Sequence, residues 1–279
     1  MAQKNLIIGG FTNYNANQLK PWVLSAKVHA GDNDDVVLVY GNASDETLDW
    51  LETQGVIIAP MLQVQNVPIH VLRFLSIYDY LRSHYKDYQY VVTTDVKDVY
   101  FQADPFKSLV GNKLVIASEG LKYKDEPWGN ENLYQAYGQY VYEEFKNNEI
   151  FNVGTFGGKS EYVKDMVFHI FTNGINRPIP IVDQAVFNVL INTQPFKDIV
   201  TKTDSWAAEL GTTMDPFKIE QFRPNLIFSE PVFEDGLLKD CTGFIYSIVH
   251  QYDRVPVLKK FVQEKYGQED ESQYFIYRT

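Results

Sequence analysis

In the first third of the chain, four short apolar runs alternate with amphipathic segments. No other feature constrains the fold as much. Residues 5–9 (NLIIG) stop at Gly9-Gly10, and residues 35–40 (DVVLVY) stop at Gly41-Asn42. Residues 55–60 (GVIIAP) and 88–93 (YQYVVT) are the third and fourth runs. Continuous Val/Ile runs without polar alternation read as strands buried on both faces. Between them, 19–30 carries apolar residues at helical spacing, and 46–53 follows Ser44 or Asp45 as an N-cap. Residues 68–84 place Leu72, Leu75, Tyr78 and Leu81 on one helical face. This alternation predicts an α/β fold with a mostly parallel central sheet flanked by helices. Open sheets of this kind bind ligands at the carboxyl ends of their strands. Functional residues are therefore expected just after Gly9, Tyr40, Pro60 and Thr93.

The second half is less regular. Residues 114–118, 151–158, 205–210, 226–228 and 244–249 read as strands, and 130–147, 161–171 and 184–192 as helices. Residues 267–279 form a polar, then aromatic tail. No Pro/Gly/Ser-rich linker and no repeat divides the 279 residues, so one domain is expected. About 1–110 would form its nucleotide-binding half and about 111–262 its sugar-handling half, followed by a tail over 263–279.

The net charge of −11 argues against a nucleic-acid partner, which calls for a basic face. A single cysteine, Cys241, excludes a disulfide framework and a cysteine zinc site. No run approaches the length of a membrane span, and the first residues do not read as a signal peptide. A cytoplasmic, soluble protein is the expectation. Aromatic residues make up 15% of the chain, weak support for carbohydrate binding beyond their usual place in a core.

Four segments carry chemistry-bearing residues. Thr93-Thr94-Asp95-Val96-Lys97-Asp98 directly follows the fourth run, and two carboxylates on a tight turn can share a hard cation. The same pattern also suits a solvated turn. Phe151-Asn152-Val153-Gly154-Thr155-Phe156-Gly157-Gly158 permits close backbone approach to a ligand, or simply a turn. Asp183-Gln184 opens a helix, with Asp183 either its N-cap or a residue facing the cleft. His250, in His250-Gln251-Tyr252-Asp253-Arg254, ends an apolar run and is a metal ligand, a core histidine or a surface residue. His29 and His84 read as solvated, His70 and His169 as partly packed. Trp128, with Asp125, Glu126 and Asn130 on a polar loop, reads either as an exposed platform suited to a sugar acceptor or as a Trp packed against the core.

The order of these segments resembles the GT-A-fold, nucleotide-sugar-dependent glycosyltransferases. The opening Gly9-Gly10-Phe11-Thr12-Asn13-Tyr14, TDVKDVYFQ, Phe-Asn-x-Gly, Asp-Gln and HQYDR carry the resemblance over residues 5 to about 262. It looks closest to viral, algal, plant and bacterial members reading TDV[RK]DVxFQ and HQYDR, and more distantly like glycogenin-like galactosyltransferases. The resemblance implies a Rossmann-like GT-A domain, with a nucleoside-diphosphate sugar as donor and a glycan or glycoside as acceptor. It also implies Mn²⁺ or Mg²⁺ held by Asp95, Asp98 and His250, although the spacing here is DxxD rather than DxD. Gly10, Phe11, Thr12, Asn13 and Tyr14 match the base and ribose site, and Thr94 and Asp95 lie beside it. Arg73, Asn152 and Gly154 match donor contacts. Arg254, or Lys259 or Lys260, would grip the diphosphate where related enzymes use Gly and Lys.

Glycosyl transfer needs a cation on the leaving diphosphate, an acceptor hydroxyl held in line and stabilisation of oxocarbenium-like charge. Inversion also needs a carboxylate base, for which Asp183 and Glu119 are candidates. Retention would place Gln184 beneath the sugar. Two alternatives remain open at this level. A sugar-phosphate nucleotidyltransferase would normally show a basic glycine-rich first loop, absent here. A catalytically inactive carbohydrate-binding protein is the other.

Overall fold

The computed structural model describes residues 3–269. Strand and helix alternate as β1 (Lys4–Phe11), α1 (Ala16–His29), β2 (Asp35–Tyr40), α2 (Asp45–Thr53), β3 (Ile57–Pro60), α3 (Ile69–His84) and β4 (Tyr88–Thr94). β1 pairs in parallel with β2 and β4, and β2 pairs in parallel with β3. Local signals start the helices. Asn15 and Gln18 form a reciprocal capping box at α1, and the Ser44 hydroxyl accepts from Thr47 N at α2.

The chain continues through β5 (Val99–Phe101), β6 (Leu114–Lys122), α4 (Pro127–Phe145), β7 (Glu149–Lys159), α5 (Ser160–Gly174), α6 (Asp183–Ile191), β8 (Val200–Thr203) and β9 (Ala207–Glu209). It ends with α7 (Leu210–Thr213), α8 (Ile219–Phe222), β10 (Val232–Glu234), β11 (Leu237–Lys239), β12 (Ile248–His250) and α9 (Pro256–Tyr266). The main sheet has seven strands in the order β3-β2-β1-β4-β7-β6-β8. Only β7 runs against its neighbours, pairing antiparallel with β4 and β6. A second sheet of three strands, β5-β12-β9, stands beside it, and β10 and β11 form a hairpin.

The sheet is mixed α/β and mostly parallel, with apolar side chains buried on both faces. Ile8, Val37, Val39 and Val91 meet Phe74 and Ile77 of α3 and Val163 and Val167 of α5. Ile7, Val36, Leu38 and Val92 meet Leu19, Trp22 and Val23 of α1. A smaller core joins Tyr100, Val249 and Tyr252 to Leu258 and Val262 of α9. Among the described residues, no helix is long and apolar enough to cross a membrane.

Several boundaries differ from the expectation. α4 starts at Pro127, so Trp128 lies in a helical first turn and not on a loop; the Glu126 carboxylate accepts from Trp128 N at 3.3 Å and from Gly129 N, capping the helix. Asp183 is the first residue of α6, not its N-cap; Val182 holds that position, and the Asp183 carboxylate accepts from Arg73 Nη2 instead of capping the helix. Residues 226–228 form no strand; Ile227 N donates to Gly120 O, and the segment lies on the surface. The runs at 205–210 and 244–249 reduce to the three-residue strands β9 and β12. Both belong to the small sheet, where β12 sits between β5 and β9. His70 is exposed, and His29 and His84 are half-buried. Most of the 267–279 tail lies outside the described residues.

Candidate functional site

Reversal of β7 decides the geometry of the site. Because β7 runs opposite to β4, its opening residues lie at the carboxyl end of β4, with Thr155 opposite Thr94. Asp95 N donates to Gly154 O at 2.7 Å, locking the turn after β4 onto β7. Gln251 N donates to Asp98 O at 2.7 Å, locking the end of β12 onto the same turn. Three segments far apart in sequence therefore meet at one rim.

Asp95, Asp98 and His250 each present a ligand atom there, all within 4.8 Å of one another. His250 Nε2 lies 3.5 Å from Asp95 Oδ2 and 3.6 Å from Asp98 Oδ1. Two carboxylates and one imidazole form a donor set suited to a first-row divalent ion, with nitrogen favouring Mn²⁺ over Mg²⁺. Gly154 makes the approach possible: a Cβ there would lie 2.7 Å from His250 Cε1 and 2.8 Å from Asp95 Oδ2. Burial alone would lower the pKa of His250, but the Glu209 and Asp98 carboxylates and bonds to Asp95 and Asp98 hold it well above the usual range. Burial would raise Asp95, yet Arg73 and His250 hold it well below the usual carboxylate range.

Behind this rim lies a polar cavity of about 210 Å³. Of the expected residues, it collects Arg73, Asp95, Glu119, Asn152, Asp183, Gln184, His250 and Arg254, and Trp128 forms part of its wall at 50% exposure. Arg73 bridges Asp95 and Asp183, with Nη2 3.0 Å from Asp183 Oδ2. Glu119 Oε1 accepts from Asn152 Nδ2 at 2.7 Å and from Gln184 Nε2 at 2.6 Å. The oxygens of both amides face the β7 backbone: Asn152 Oδ1 takes Gly154 N, and Gln184 Oε1 takes Val153 N. Burial pushes Glu119 up to about 7, against the hydrogen bond from Gln184.

The remaining expected residues lie elsewhere. Thr94 is buried and its hydroxyl accepts from Trp22 Nε1 at 2.7 Å, so this group belongs to the core. Phe11 is also core. Thr12 and Asn13 form a loop bound to the one after β2: Asn42 N donates to Thr12 Oγ1 and Asn42 Nδ2 to Asn13 Oδ1. Tyr14 stacks on Phe11 with centroids 6.5 Å apart, and Lys97 Nζ stands 5.7 Å over its ring. Arg254, which does line the cavity, has its Nε 3.3 Å from Asp253. Lys259 and Lys260 lie on α9 and form no part of the cavity wall.

Sequence reasoning missed His70, Thr212 and Lys218, which line the cavity, and Glu209, which backs His250. Glu126, singled out beside Trp128, lines the cavity with it. No local signal marks Glu209.

No protein-family model matches the chain, and no curated protein sequence matches it. Among solved structures, the chain is similar to the apo form of the bifunctional glycosyltransferase WbbM, with a TM-score of 0.62 and 14% sequence identity. The likeness covers 100% of this chain and 52% of WbbM, so the chain spans about half of that protein's length. At this identity the likeness is one of fold: a mixed α/β domain that a glycosyltransferase also uses.

Proposed function

We propose that this protein is a metal-dependent glycosyltransferase of the GT-A type. It would move a hexosyl or pentosyl unit from a nucleoside-diphosphate sugar, UDP-sugar favoured, to a hydroxyl of a glycan or glycoside. The observation that carries this reading is the convergence of Asp95, Asp98 and His250 at the mouth of a polar cavity. That is the carboxyl end of a parallel strand, where such sheets bind ligands.

In this reading Asp95, Asp98 and His250 hold the cation, Mn²⁺ in preference to Mg²⁺. When bound, it would neutralise the departing diphosphate. Arg254, at the cavity wall, meets the same diphosphate. Thr12, Asn13 and Tyr14, with the Gly10 backbone, hold base and ribose in the first half of the chain. The sugar lies in the cavity against Asn152, Gly154 and Gln184. Asp183, held by Arg73, is the carboxylate beside the acceptor. Glu119 orients the Asn152 and Gln184 amides, since one of its oxygens serves both. Lone Cys241 is compatible with a reducing, cytoplasmic setting.

The test is release of nucleoside diphosphate from UDP-, GDP- and dTDP-sugars with Mn²⁺, by wild type and Asp98→Asn. Metal-dependent release from one donor, lost in a folded Asp98→Asn variant, is expected. Equal release by both proteins would overturn the metal assignment, and release from no donor would overturn the transferase reading.

A further inference from the structure

The carboxylate behind His250 has no part in any of the roles above. β9 and β12 pair in parallel with Glu209 opposite His250. In a parallel pair, opposed residues project to the same side of the sheet. His250 Nδ1 lies 2.6 Å from Glu209 Oε2. The Glu209 side chain is fully buried at 0% exposure, and its other oxygen, Oε1, has no hydrogen-bond partner among the described residues. A buried carboxylate with one partner is costly in a fold. Its neighbourhood is braced: Thr213 Oγ1 donates to Glu209 O at 2.7 Å, and Gly211 N donates to Gln251 Oε1 at 2.8 Å.

We propose that Glu209 is the positioning residue of the metal site. By accepting the Nδ1 proton it fixes the His250 tautomer and ring orientation, so that the Nε2 lone pair faces Asp95 and Asp98. A ligating imidazole depends on such a partner for both orientation and basicity, and losing it typically costs about 10–100-fold in metal affinity. Glu209 is set behind the ring and is not a ligand itself; the three ligand atoms do not include it. The inference rests on the reading of Asp95, Asp98 and His250 as a cation site.

The experiment is Mn²⁺ binding without donor, read from the electron paramagnetic resonance of free Mn²⁺, with circular dichroism as a check on folding. Glu209→Leu is expected to weaken binding about 10–100-fold. Glu209→Gln, whose amide oxygen can still accept from Nδ1, is expected to restore it to within several-fold. Adding Glu209→Leu to His250→Ala should cause no further loss. If Glu209→Leu does not fold, Glu209→Asp, one methylene shorter with the same charge, takes its place and should also lose affinity. Wild-type affinity in the Leu or Asp variant, with loss in His250→Ala, would overturn the role of Glu209 and leave the metal site standing. Equal loss in the Gln and Leu variants would overturn it as well. Unchanged binding in both His250→Ala and Asp98→Asn would overturn the metal site itself, and the role of Glu209 with it.

Discussion

Arg73 Nη2 donates to Asp183 Oδ2 at 3.0 Å, joining α3 to the first turn of α6. The same guanidinium holds Asp95. One half-buried cation thus keeps two carboxylates, from segments far apart in sequence, at a fixed separation. Arg73→Met leaves both without their partner; breaking a fully buried pair costs about 3–5 kcal/mol, and the loss here should be smaller because Arg73 and Asp95 are partly solvated. Arg73→Lys keeps the charge but has no fork to span two acids, so it should fall between. Urea unfolding of the three proteins measures the order; an unchanged midpoint in Arg73→Met would show that the bridge contributes nothing.

Gly154 is the next point of sensitivity. A methyl group there would press on His250, Asn152 and Asp95 together, at 2.7–2.8 Å. These neighbours are held by hydrogen bonds and cannot all retreat. Gly154→Ala should destabilise the protein by about 1–3 kcal/mol through overpacking and weaken Mn²⁺ binding. Calorimetric melting with and without Mn²⁺ reads both effects. Equal metal-induced shifts in variant and wild type would mean that the cluster tolerates the added carbon.

Glu119 makes stability depend on pH. Burial lifts its pKa from 4.5 in the unfolded chain to about 7 in the fold. A raised value favours the neutral form, so the stability it supports is fully present below 4.5 and is lost as pH rises through about 7. Glu119→Gln keeps an oxygen for Asn152 and Gln184 but cannot ionise. It should match wild type near pH 4.5 and be the more stable protein at pH 8, by up to about 3 kcal/mol at about 1.4 kcal/mol per pKa unit. Urea melts at the two pH values test this; a pH-independent difference would remove the assignment to Glu119.

Trp128 lies half-exposed at the cavity wall, in the first turn of α4. An aromatic face in that position suits stacking against a sugar ring. Trp128→Ala should raise the acceptor KM about tenfold, equivalent to about 1.4 kcal/mol, while hydrolysis of donor alone stays near wild type. Equal loss of both activities would place Trp128 on the donor side.

The β1–β4 half of the fold is readable in the chain because strands buried on both faces appear as unbroken apolar runs, as in Asp35–Tyr40. The small sheet is readable only in part. The runs at 205–210 and 244–249 cover β9 and most of β12, but Val99–Phe101 is too short for a period to register, and no local pattern shows that the three pair. Asp95, Asp98 and His250 could be singled out because they directly follow apolar runs, at the strand ends where open sheets bind ligands. The place of Glu209 depends on parallel pairing with β12, a relation between distant segments that no local pattern encodes. Trp128 was misplaced for a local reason: the cap that starts α4 is the longer side chain of Glu126 instead of a Ser, Thr, Asp or Asn.

The order of strands in the small sheet also bears on how the protein is made. β5 leaves the ribosome first, directly after the two aspartates. β9 follows much later, and β12, later still, inserts between them. More than half the chain separates Asp98 from His250. The three ligand atoms therefore come together only once β12 has docked between β5 and β9. Until then the chain presents two carboxylates without the imidazole. The donor set is a product of folding, and no segment that stops short of His250 can assemble it.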